Sequence, residues 1–84
     1  MYFSERNNLI NDMLVRYREL HNKYSTGKRI LEDPDWEDYI HSMDAICAEH
    51  KGTNLELLAG KLCMAFLDDT ELIQKKLKEL TNDT

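Results

Sequence analysis

The chain predicts an all-α fold, a compact four-helix domain with helices joined by short turns and the third helix central. Three observations predict it. Apolar residues recur at intervals of three and four along most of the chain, the period of a helix face rather than the alternation of a strand. Gly, Pro and small hydroxyl or acidic residues fall between the periodic stretches, where helices stop and start. At 84 residues there is surface enough for one core, so residues 1–84 are read as a single domain.

The first helix is expected over residues 4–24. Phe3, Ile10, Met13, Tyr17, Leu20 and Tyr24 recur at helical spacing, with steps of 3, 4, 3 and 4 from Ile10 onward. Asp12 and Arg16, and Glu19 and Lys23, stand four apart with the acid nearer the N-terminus, which supports an exposed face. Gly27 closes this helix, and Ile30 and Leu31 in the connector are expected to tuck beneath the neighbouring helices.

Asp33-Pro34 opens the second helix, expected over 34–51. Asp33 supplies a capping carboxylate, and Pro34 occupies a first-turn position where no hydrogen bond is lost. Trp36, Tyr39, Ile40, Met43, Ile46, Cys47 and His50 share one face, and Asp35, Glu37 and Asp38 lie near the positive end of the helix dipole. Gly52 ends it. Thr53-Asn54-Leu55-Glu56 then has the spacing of a capping box, which starts a third helix over 54–67. Asp68-Asp69-Thr70-Glu71 reads as the cap of a fourth over 70–81, with Leu72, Ile73, Leu77 and Leu80 inward and Gln74 toward water.

The third helix carries two apolar stripes. Leu55, Leu58, Ala59, Leu62, Ala65 and Phe66 form one; Leu57, Gly60, Met64 and Leu67 fall on roughly the opposite side at 100° per residue. Both need cover, and three short companions are not enough to provide it. Gly60 costs the helix roughly 1 kcal/mol against Ala. That cost points to a backbone approaching closely there, from the first helix or from another molecule.

Enzymatic readings find no support. Glu37, His41 and Asp44 share a face of the second helix, but no HExxH pattern or second ligand pair completes a metal site. Ser4, Ser25 and Ser42 lack a nucleophile elbow, and Thr26-Gly27-Lys28 lacks the remainder of a phosphate loop. Cys47 and Cys63 have neither a CxxC spacing nor further ligands and are read as reduced core residues. No catalytic residue, cofactor, metal or small-molecule substrate is therefore expected. The first eight residues lack the pattern of a secretory signal, and the apolar run from Leu55 to Leu67 is broken by Glu56 and Lys61. A cytoplasmic chain without membrane insertion is the expectation.

The net charge of −5 is unevenly spread: residues 1–31 carry +3, residues 32–50 carry −7, and residues 51–84 carry −1. Arg16, Arg18, Lys23, Lys28 and Arg29 offer a basic face for nucleic acid, but the helix that would enter a groove is apolar and follows seven acids. Those acids also allow an acidic mimic of nucleic acid. The reading adopted is a non-enzymatic protein-interaction module, a small acidic regulator, inhibitor or adaptor. Its size and acidity resemble those of small bacterial and bacteriophage regulators. Its partner is another protein or a second copy of itself, as in a homodimer. The expected binding residues are Leu57, Gly60, Met64 and Leu67 on the third helix and Asp35 and Asp38 on the second.

Overall fold

A computed structural model describes residues 2–82 and the side chains of residues 3–81; Met1, Asp83 and Thr84 lie outside it. Among the described residues every regular element is a helix: α1 (Tyr2–Tyr24), α2 (Asp33–Glu49) and α3 (Glu56–Asn82). The all-α class holds, and the expected count of four is corrected to three.

The expected third and fourth helices are one continuous helix of 27 residues. Asp68-Asp69-Thr70-Glu71 contains neither Gly nor Pro, so nothing in its backbone obliges a stop. Thr70 does not cap. Its side chain is fully buried, and its hydroxyl donates to the Phe66 carbonyl one turn earlier at 3.0 Å. With that proton committed, the Thr70 oxygen accepts from Tyr39 Oη at 2.8 Å and from Ser25 Oγ at 2.5 Å. A group read as a local cap is thus a junction between α2, α3 and the end of α1.

Cross-helix contacts give the topology. Tyr17 Oη donates to the Ala59 carbonyl at 3.0 Å and Ser25 meets Thr70, so numbering rises in step and α1 runs parallel to α3. Arg16 pairs with Glu49, while Tyr24 stacks on Tyr39 at 4.8 Å between ring centroids, so α2 runs antiparallel to both. Each helix packs against the other two, and α3 is the longest. No helix is central, contrary to expectation.

Met13, Tyr17, Tyr24, Leu31, Tyr39, Met43, Ile46, Ala59 and Cys63 form the buried core, with Leu55 enclosed near the start of α3. Cys63 and the half-buried Cys47 are both free thiols. Burial pushes the Cys63 thiol upward, with smaller contributions from Asp44 and Cys47. It likewise raises the Tyr17 and Tyr39 phenols.

The connectors depart from the expected caps in detail. Glu32 rather than Asp33 takes the N-cap position of α2, its N–H donating to the Asp35 carboxylate at 3.1 Å. At the other end α2 stops at Glu49 rather than residue 51, and Gly52 takes φ +79° in the turn that follows. Thr53 Oγ1 accepts the Leu55 N–H at 3.1 Å and donates to the His50 carbonyl at 2.6 Å. It therefore closes the turn instead of forming the expected box with Glu56, and α3 begins two residues later than predicted. Gly27 takes φ +72°, but in the α1–α2 connector three residues past Tyr24 rather than closing the last turn of α1 as expected.

Gln74 faces inward, not toward water. Its Oε1 accepts the Leu31 N–H at 2.7 Å and its Nε2 donates to the Arg29 carbonyl at 3.1 Å, so a single amide satisfies two backbone groups of the α1–α2 connector. Leu31 is buried beneath it, whereas Ile30 is exposed. Leu72 also turns outward, because one unbroken helix carries the phase of its first half into its second, and Leu80 is exposed in the overhanging last turns. Ile40, expected on the core face of α2, is exposed as well.

The helices are compact about the core but unequal in reach. Among the described side chains none before Met13 is buried, Arg6 and Ile10 being only half-buried, so the first turns of α1 run past the packed core. The last turns of α3 overhang the opposite end. These extensions give a body of 57 × 20 × 17 Å with a radius of gyration of 14.9 Å. A globular chain of this length has roughly 12 Å.

Candidate functional site

α3 buries one side and leaves the other bare. Ala59, Cys63, Thr70 and Gln74 turn into the bundle, while Leu57, Met64 and Leu72 on the opposite side are 71%, 58% and 66% exposed. The outward face forms a shallow groove of about 630 Å³ over Glu56, Leu57, Gly60, Lys61, Met64, Ala65 and Asp68. Singly exposed leucines are ordinary on a folded surface. Here three large apolar side chains stand on one line of one helix, with a concavity at its first half.

Gly60 lies on this outward side, not beneath α1. A Cβ built on it would meet no atom within 4 Å, so the close approach of the first helix inferred from sequence does not occur. The helix-propensity cost of this glycine is unmatched by any contact inside the chain.

Three of the six sequence-predicted binding residues therefore come together: Leu57, Gly60 and Met64. Leu67 does not join them, being half-buried and packed against the core. Asp35 and Asp38 lie on α2, away from this groove. Asp35 is engaged within the fold by a bidentate contact with Arg29, at 2.8 and 3.2 Å, and by the Glu32 N–H. The Arg29 guanidinium, then the Glu32 amide, hold its carboxyl below the usual carboxylate range. Asp38 remains exposed. The face also includes Lys61, Asp68 and Leu72, which the apolar periodicity did not select. A signal for two of them was present as opposite charges seven residues apart on the second stripe.

The basic residues of α1 and its connector turn largely to partners within the fold. Arg16 pairs with Glu49, Arg29 with Asp35, and the Lys23 amine lies 5.1 Å from the centroid of the Tyr24 ring. The histidines are dispersed: His21 Nε2 meets Asp69 at 2.7 Å, His41 is exposed, and His50 Nε2 is buried without a hydrogen-bond partner. Among the described residues no three His, Cys, Asp or Glu side chains converge as metal ligands would. None of the described helices is long and apolar enough to cross a membrane.

No protein-family model matches this chain, and comparison with curated proteins and with solved structures finds no match, so the functional reading rests on the geometry of the α3 face.

Proposed function

We propose that the chain is a non-enzymatic protein-interaction module, a small acidic regulator, inhibitor or adaptor that binds through the outward face of α3. One observation carries this reading: Leu57, Met64 and Leu72 stand exposed in line, beside a glycine with open space above it, on the side of the helix turned away from its own core. Apolar surface concentrated on one face, with charges interspersed, is what a partner helix or a flat protein surface covers. Burying a Leu or Met side chain contributes about 1.5–3 kcal/mol, so two or three anchors supply much of a micromolar affinity.

The test compares the chain with its Met64→Lys variant in affinity capture from the source cells, read by mass spectrometry. Position 64 is exposed, so the substitution alters folding stability by no more than about 0.5 kcal/mol. Circular dichroism checks that the helix content is retained. The expected result is a protein retained by the parent chain and lost from the variant. Identical sets retained by both move the function away from this face.

A further inference from the structure

The order of residues along the α3 face shows what fits it. Six exposed positions of the face are symmetric about a point between Met64 and Ala65: Lys61 and Asp68 lie equally far on either side, and beyond them Leu57 and Leu72 do the same, while Glu56 at the groove's rim has no charged counterpart. At 100° per residue these six positions fall within about 100° of the helix circumference, so they form one surface. All six are exposed. Lys61 and Asp68 stand about 10 Å apart along the axis, and the two leucines about 22 Å.

We infer that the occupant of this face is a second copy of the same chain, with its α3 docked antiparallel across a two-fold axis beside Met64 and Ala65. The inference rests on the reading of this face as a binding surface and names its partner. The two-fold axis brings Lys61 of each copy level with Asp68 of the other, forming two opposite-charge pairs. It also brings each Leu57 level with the other copy's Leu72 and sets the two Met64 side chains against each other at the centre. Exposed leucines at both ends and a methionine in the middle give the pairing three apolar layers separated by two charged ones. A parallel pairing sets Lys61 against Lys61 and Asp68 against Asp68, which like-charge repulsion disfavours. Charge order thus selects direction as well as partner. The acidic residues of α2 that dominate the net charge of −5 lie off this face, so they do not oppose the approach directly.

The test is charge reversal read by light scattering on the full-length chain, with circular dichroism as the check on folding. The parent is expected at twice its 9.9 kDa monomer mass. Lys61→Glu sets two Glu–Asp pairs face to face, Asp68→Lys sets two Lys–Lys pairs, and each variant alone is expected to dissociate at least ten-fold more readily. Mixing the two variants restores both opposite-charge pairs, so the mixture is expected to recover the dimer mass, as is the chain carrying both changes. Recovery on mixing also shows that neither single variant has unfolded. A parent that stays monomeric up to about 1 mM, or a dimer indifferent to both reversals, overturns the inference. If such a monomer still retains a different protein in a manner lost with Met64→Lys, the second-copy inference falls while the binding-face reading stands. If that retention is also indifferent to Met64→Lys, both fall.

Discussion

Among the described residues the buried polar side chains Thr70 and Gln74 are both matched to partners and join elements distant in sequence, while the buried His50 Nε2 has no such partner. Thr70 holds α2 and the end of α1 to α3, and Gln74 satisfies the backbone of the connector over Leu31. Gln74→Leu keeps the volume but strands the Leu31 N–H and the Arg29 carbonyl. It is expected to cost about 2 kcal/mol, read as a lowered midpoint in thermal or urea unfolding. A change below about 0.5 kcal/mol contradicts the role given to this amide. Tyr17 and Tyr39 predict the alkaline limit of the fold. Their phenols are raised by burial above the ordinary value of 10.0, so between the unfolded and folded values the native state holds protons that the unfolded state has lost. Stability present below pH 10 therefore declines as pH rises beyond it, and tyrosinate absorbance from these two rings is expected to appear only together with loss of helical dichroism. Asp35 acts at the opposite limit. Its lowered folded value means its contribution is present above the ordinary carboxylate range and is lost as pH falls through the folded value. Arg29→Ala is expected to flatten that acid limb.

At the scale of the element, the helix starts and stops that depend on Gly and Pro were legible, while those that depend on polar side chains were not. Asp33-Pro34 located the start of α2 to within one residue, and Gly27 and Gly52 marked turns because positive φ is costly for other residues. Asp68-Asp69-Thr70-Glu71 misled because a hydroxyl suited to capping a helix is equally suited to a buried junction, and only the tertiary partners Tyr39 and Ser25 decide between them. That error reset the phase of the last ten residues, which is why Gln74 and Leu72 were expected on each other's sides. The second stripe was legible in part. Leu57, Gly60 and Met64 were found by period, whereas Lys61 and Asp68 were missed because charge does not register in an apolar pattern. The open space over Gly60 carries its own prediction: Gly60→Ala is expected to raise the stability of the dilute, monomeric chain by roughly 0.5–1 kcal/mol, since the added methyl meets nothing. A loss of stability under those conditions shows that the site is covered within the chain.

At the scale of the whole molecule, stability is concentrated in the middle of the rod and the ends are free of the core. The α1 overhang carries the exposed Phe3 and Leu9 and, among its described side chains, none that is buried. Removing residues 1–8 is expected to shift the unfolding free energy by less than about 1 kcal/mol, because fraying ends contribute little to the global transition. A collapse of the helical signal in that variant contradicts the placement of the core from Met13 onward. The association that the α3 face predicts lies along the flank of the rod instead, and pairing there joins two elongated bodies side by side. The measurement that tests this most directly is the solution mass of the chain against its Met64→Lys variant over a concentration series. The parent is predicted to rise toward twice 9.9 kDa while the variant stays at the monomer mass. Two curves that coincide contradict it.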